Sequence, residues 1–190
     1  MQTNLNGVRV AILATDGFEQ SELFEPKQAL EDAGAEVSIV SLKSGEIKGW
    51  KDKNWGDSIA VDLTIDGVRA DDFDALHLPG GVINPDKLRM DEKAVDFVRQ
   101  FFAAGKPVAA ICHAPWTLVE ADVVRGRTLT SWTSIRTDLE NAGAEWVDQE
   151  VVVDGTLVTS RKPQDLPAYN EKIIEIFSRE AGKSKQATNT

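Results

Sequence analysis

The chain is poor in the residues that build most metal and disulfide chemistry. Its 190 residues include one cysteine and two histidines, His77 and His113. A lone cysteine cannot form an internal disulfide, and so few soft ligands argue against a catalytic zinc site. Basic residues are outnumbered as well, with 21 Lys and Arg against 31 Asp and Glu for a net charge of −10. A nucleic-acid surface needs clustered Lys and Arg to neutralise phosphates. The short pairs Arg125/Arg127 and Arg161/Lys162 read instead as solvated loop charges. No stretch nears the ~20 apolar residues of a membrane span, and Met1 to Gly7 holds no apolar signal-peptide core. With no Walker pattern and no G-x-G-x-x-G, nucleotide binding has no support. The expectation is a cytoplasmic protein without metal or cofactor, whose partners are neither nucleic acid nor membrane.

What is present is α/β patterning, in a chain of ordinary composition and long enough to bury a core as one domain, 1–190. Val8 to Ala14 (VRVAILA) is a short apolar run of the kind buried on both faces of a parallel sheet. A helix is expected over Glu19 to Ala33, closed by Gly34. Pro26 is tolerated only near a first turn, which would move the start to about Glu22. Glu36 to Leu42 then reads as a strand, and this βαβ opening predicts a mostly parallel sheet with helices on both faces.

Ser44 to Gly67 breaks the rhythm and suggests a hairpin or irregular strands. Phe73 to Leu78 resumes it as a strand, ending at Pro79-Gly80-Gly81. Asp91 caps a helix through about Ala104, with a stripe of Ala94, Val95, Val98, Phe101 and Phe102. Lys106 to Ile111 is the next buried strand, and Ala114 to Ala121 the helix after it. An amphipathic segment spans Ser134 to Ala142. Asp154-Gly155 turns a hairpin between Val151–Val153 and Leu157–Ser160, and a last helix covers Leu166 to Phe177. Residues 1–7 and 181–190 read as frayed tails.

Cys112 falls directly between a strand and a helix, with small residues, Ala110 and Ala114, two positions to either side. Such a sharp turn is a nucleophile elbow, exposing its side chain at the carboxyl end of the sheet. A helix N-terminus there would favour thiolate, so a pKa below the ~8.5 of a free thiol is expected. The plainer alternative is a buried core cysteine. The backbone N–H of His113 is a natural oxyanion donor, whereas its side chain either meets the sulfur or faces solvent. His77, inside a strand, reads as a packed residue rather than a base. Gly80 and Gly81 either aim N–H groups into a site or form a plain turn. Glu19 and Glu22 open the first helix as solvated acids, or else reach the thiol from the same end of the sheet.

Taken in order, Gly17-Phe18-Glu19-Gln20-Ser21-Glu22-Leu23, Leu78-Pro79-Gly80-Gly81, Ala110-Ile111-Cys112-His113-Ala114 and Val151-Val152-Val153-Asp154-Gly155 with Ser160-Arg161 resemble the PfpI family of intracellular peptidases and stress proteins. That family lies in the class I glutamine amidotransferase-like superfamily and is related to the Parkinsonism-associated protein deglycase. The resemblance implies a flavodoxin-like three-layer α/β/α sandwich and a homodimer, sometimes assembled into hexamers. It makes Cys112 the nucleophile, His113 its dyad partner and Glu22 the carboxyl group on the sulfur. Gly80, Gly81 and His113 become the oxyanion donors, and Glu19 and Trp116 further neighbours. Peptidase-type members complete a triad with an acid from across a subunit interface. The nearest position here is Asp86, in a stretch one residue longer than that pattern and with a shorter side chain. The implied activity is cofactor-free thiol hydrolysis of glycated amines or thiols, reactive aldehydes such as methylglyoxal, or small peptides, deglycase-like before peptidase. The alternatives are an oxidative-stress protein whose Cys112 is oxidised without turnover, and a holdase chaperone.

Overall fold

The runs of apolar residues become the strands of one central sheet. The computed structural model describes residues 3–187, without side chains for 182 and 184–187. The strands are β1 (Arg9–Leu13), β2 (Phe18–Glu19), β3 (Glu36–Ser41), β4 (Glu46–Lys51), β5 (Asn54–Ala60), β6 (Leu63–Thr64), β7 (Ala75–Leu78), β8 (Val108–Ile111), β9 (Thr128–Leu129), β10 (Glu145–Trp146), β11 (Val151–Asp154) and β12 (Leu157–Ser160). The helices are α1 (Gln20–Asp32), α2 (Ile83–Leu88), α3 (Glu92–Ala103), α4 (Pro115–Glu120), α5 (Arg136–Asn141) and α6 (Leu166–Ala187). Seven strands form the main sheet in the order β11-β12-β8-β7-β1-β3-β6. All its pairs are parallel except β11 with β12, the hairpin at Asp154-Gly155. This is the mostly parallel, flavodoxin-like α/β architecture expected of the sequence.

Successive side chains of a strand point to opposite faces, and the two cores follow that period of two. Ala11, Leu13, Leu76, Leu78, Val108 and Ala110 face one core, which α3, α4 and α5 cover through Phe97, Phe101, Leu118 and Leu139. Val10, Ala75, Ala109 and Ile111 face the other, covered by Leu30 of α1 and by Tyr169, Ile173 and Phe177 of α6. Each such large apolar side chain contributes roughly 1.5–3 kcal/mol on burial. Asp91 caps α3 as expected, its side chain accepting from Ala94 N–H at 2.9 Å. No helix among the described residues is long and apolar enough to cross a membrane.

The segment from Ser44 folds as a hairpin of β4 and β5, whose turn residues Asp52 and Lys53 both have positive φ. That is the backbone a two-residue hairpin loop prefers, because its twist matches the strands. β2 pairs with β4 so that Glu19 lies opposite Trp50, carrying an aromatic side chain to the carboxyl end of the main sheet.

Three expectations are corrected. Helix α1 spans Gln20–Asp32, within the expected Glu19 to Ala33, but the later start near Glu22 that Pro26 suggested is not taken and Pro26 stays in its interior. This is tolerated because the carbonyl that Pro26 cannot serve, that of Glu22, is taken by another donor. The N-terminal segment is not loose: Leu5 is fully buried and its N–H bonds to Ala33 O at 2.8 Å. The last helix runs on past Phe177 to Ala187, so the tail expected from residue 181 is helical to that point. Residues 1–2 and 188–190 of the expected tails lie outside the described residues.

Candidate active site

Strand β8 ends at Ile111, and the chain turns sharply through Cys112, whose φ is +63°. A non-glycine residue in this left-handed region costs roughly 1–3 kcal/mol and persists only where its surroundings hold it. Here Cys112 N–H bonds to Ser160 O at 3.1 Å, and Cys112 O accepts from Trp132 N at 2.9 Å. The elbow is therefore pinned from both sides. Its flanks must be small, and Ala110 and Ala114 are buried against it.

His113 resolves the alternatives for its side chain. The ring turns back on the thiol, with Nδ1 at 3.2 Å from Cys112 Sγ. Its Nε2 lies 3.3 Å from Ser134 Oγ. Trp132 stacks on the ring at 6.1 Å and 24°, and Trp116 meets it edge-on at 5.2 Å. Trp116 is itself held by Asp138, to which its Nε1–H donates at 2.8 Å, and by the Arg89 guanidinium, 5.7 Å over its ring centroid.

Glu22 reaches the thiol from the first turn of α1 and is fully buried. Its Oε1 accepts from Gly80 N–H at 3.1 Å. Oε2 is buried without a hydrogen bond, and the Cys112 thiol and the Gly81 N–H lie close enough to the carboxyl group to favour its ionised form. Gly80 must be glycine, because a Cβ there would come within 2.7 Å of Cys112 Cβ and Ile111 O. Gly81 has φ +81°, and a Cβ would meet Gly17 O at 2.5 Å. Asn84 fixes this turn from below, donating to Pro79 O at 2.9 Å and Gly80 O at 3.2 Å while accepting from Thr15 N–H at 2.8 Å.

Electrostatics follow from burial. Desolvation pushes the Glu22 carboxyl up to about 8, aided by Glu19 and opposed by the Gly80 N–H, so it is largely protonated near neutrality. Burial, with Glu22 adding to it, also pushes the Cys112 thiol well above its ordinary value; the N–H groups of Gly81 and His113 offset only part of this. Burial beside an acid thus works against the low-pKa thiol expected from a helix N-terminus. Helix α4 is a six-residue helix, and the sulfur lies buried beside an acid. Burial lowers the His113 pKa, leaving a neutral imidazole near neutrality.

A cavity of about 500 Å³ opens over the sulfur, lined by Glu19, Trp50, Val82, Ile83, Trp132 and Pro163 among others. Sequence reasoning placed Cys112, His113, Glu22, Gly81, Glu19 and Trp116 here, and the fold brings them together. Gly80 stands in the site, but its N–H is committed to Glu22, so it is not a free oxyanion donor. Asp86 is exposed on α2 and absent from the cavity wall of its own chain. Trp132, Ser134, Asn84 and Trp50 escaped notice because no local pattern marks them. The pairing of β2 with β4 carries in Trp50, the bond from Trp132 N to the elbow carries in Trp132 and Ser134, and Asn84 enters with the turn it bonds.

The description of the DJ-1/PfpI family matches residues 8–176. The chain belongs to that family. It is 48% identical over 171 residues to the protein/nucleic acid deglycase 2 of Escherichia coli, covering 89% of this chain and 97% of that one. It is 44% identical over 174 residues to general stress protein 18 of Bacillus subtilis, covering 91% and 99%. Among solved structures, DJ-1beta of Drosophila melanogaster superposes with a TM-score of 0.83 at 29% identity, over 96% of each chain. The names of these relatives point to stress-related and deglycase-type functions in the family.

Proposed function

We propose that this chain is a cofactor-free cysteine hydrolase of the deglycase type, acting on reactive-carbonyl adducts of amines or thiols, with weak peptidase activity at most. The contact between Cys112 Sγ and His113 Nδ1 carries the reading, because a buried thiol with a raised pKa needs a base within reach to react at neutral pH. In the proposed step the sulfur takes the place of the amine or thiol on the carbinol carbon of the adduct and passes its proton to His113 Nδ1. The N–H groups of Gly81 and His113, already aimed toward the sulfur, would hold the developing oxyanion. That proton leaves with the departing amine or thiol, a proton shift from the carbinol carbon to the neighbouring ketone carbon turns the enzyme-bound hemithioacetal into an acyl thioester, and water releases the 2-hydroxy acid and the free thiol. The apolar walls of Trp50, Val82, Ile83 and Trp132 suit a small carbonyl carried on a larger group. A homodimer in the cytoplasm completes the proposal.

One observation favours a second reading, in which Cys112 is oxidised rather than turning over. A protonated Glu22 with an unbonded Oε2 can donate to an oxygen added to the sulfur. The deciding experiment follows lactate release from methylglyoxal-treated N-acetyl-cysteine and N-acetyl-arginine by the wild type and Cys112→Ser. The hydrolase reading expects release by the wild type alone. Equal release by both proteins, or by neither, removes it; neither releasing, with a peroxide-induced sulfinate on Cys112, leaves the redox reading.

A further inference from the structure

We infer that Ser134 is the positioning residue for His113, so that Cys112, His113 and Ser134 form a proton relay. This rests on the reading of Cys112 as nucleophile. Both imidazole nitrogens are engaged, Nδ1 by the thiol at 3.2 Å and Nε2 by Ser134 Oγ at 3.3 Å. For Nδ1 to accept the thiol proton it must be unprotonated, which places the ring hydrogen on Nε2 and makes Ser134 Oγ its acceptor. After transfer the imidazolium carries two N–H groups, one toward the sulfur and its leaving group, the other held by Ser134.

Position in the fold makes this more than a chance contact. The segment bearing Ser134 is tied down at several points. Thr130 N–H bonds to Thr159 Oγ1 at 3.0 Å, Trp146 Nε1 donates to Ser131 Oγ at 3.0 Å, and Trp132 N–H donates to the elbow carbonyl at 2.9 Å. The His113 ring is meanwhile held between Trp132 and Trp116. Neither side of the contact is free to drift. The titratable groups around the ring are Cys112 and Glu22 on the thiol side and Glu19 across the cavity, with Asp138 and Arg89 behind Trp116. No carboxylate among the described residues bonds Nε2. Its partner is a neutral hydroxyl, which orients the ring and selects the tautomer without stabilising imidazolium as a carboxylate would.

The test uses alkylation of the single cysteine by iodoacetamide between pH 5 and 10. There the C–S bond forms, iodide leaves and the thiol proton passes to His113. Ser134→Ala is expected to slow alkylation at pH 7 by up to about tenfold, the worth of one hydrogen bond of roughly 0.5–1.5 kcal/mol. Ser134→Thr, which keeps the hydroxyl, restores the rate. Ser134→Asp sets an anion at Nε2 and shifts the low-pH limb of the profile upward by about one unit. An Ala variant with wild-type rate and profile overturns the relay, as does an equal loss in Ala and Thr or an unmoved limb in Asp. Because iodoacetamide needs no natural substrate, the expected alkylation pattern without adduct hydrolysis would remove the hydrolase reading and leave the relay standing.

Discussion

His77 Nε2 donates to the backbone carbonyl of Glu22 at 2.8 Å, far from it in sequence and deep in the core. A carbonyl only accepts, so the hydrogen sits on Nε2, and Nδ1 accepts from the Tyr169 hydroxyl at 2.9 Å. Burial pushes the His77 pKa down to about 4, which keeps the ring neutral. The Glu22 carbonyl is available because Pro26, four residues on, has no N–H to offer it. A proline in the helix and a histidine in the neighbouring strand thus solve one another's problem, and together they fix the residue that carries the acid beneath the thiol.

Removing His77 should therefore cost stability in a way that Pro26 controls. His77→Leu leaves the Glu22 carbonyl and the Tyr169 hydroxyl unpaired in the core, an expected loss of about 2–4 kcal/mol. In His77→Leu with Pro26→Ala, the restored helix N–H serves the carbonyl, so the double variant should recover roughly 1–2 kcal/mol. Urea midpoints for the four proteins give the coupling, and strict additivity would show that the two residues are independent.

Glu22 should make the protein less stable as pH rises. Its folded pKa of about 8 lies above the ordinary 4.5, so the unfolded chain releases the proton first. The contribution is complete below pH 4.5 and declines up to about pH 8, by an amount on the order of a few kcal/mol. His77 acts oppositely, its contribution being present above its ordinary 6.5 and lost as pH falls toward 4. Subtracting the urea-unfolding curve of Glu22→Gln from that of the wild type isolates the carboxyl. A difference that does not change between pH 5 and 8 contradicts its burial in the protonated form.

Asn84 should matter more than its place outside the cavity suggests. Asn84→Ala leaves Thr15 N–H and Pro79 O without this partner and leaves Gly80 O with the Glu19 N–H alone, for an expected loss of about 2–3 kcal/mol. Asn84→Asp keeps the acceptor for Thr15 but sets a carboxylate against the carbonyls of Pro79 and Gly80, and should be worse at pH 8 than Ala. Thermal unfolding of both variants checks the order.

Asp86→Asn should change stability by no more than about 0.5 kcal/mol, as befits an exposed helix position. The pH profile of Cys112 alkylation should also be unchanged. A shifted profile in an oligomeric preparation would show that this carboxylate acts on a neighbouring subunit.

Much of the scaffold was legible because its signals are local. The unbroken apolar run at Val8 to Ala14 matches a strand buried on both faces, Asp91 caps its helix, and Asp154-Gly155 turns its hairpin. The elbow was legible too, since Cys112 between small residues at a strand end has few other uses. What local patterns could not show were the partners. Ser134 is 21 residues from His113, and Asn84 is 69 from Thr15; each pair meets only through topology. Pro26 misled for the same reason, its compensating donor lying 51 residues away on β7. For the thiol, helix position is visible in sequence, while the burial beside a carboxyl group that raises its pKa is not.

The left-handed backbone at Cys112 sets activity and robustness against each other at a single position. Serine or alanine at 112 would remove the thiol yet inherit the unfavourable conformation, so such inactive variants should be about as stable as the parent. Glycine alone would relax it. If its added freedom in the unfolded chain does not cancel the gain, Cys112→Gly should melt higher than either. Selection for durability alone would then drift toward glycine at this turn and silence the protein, which makes the retained cysteine a record of use.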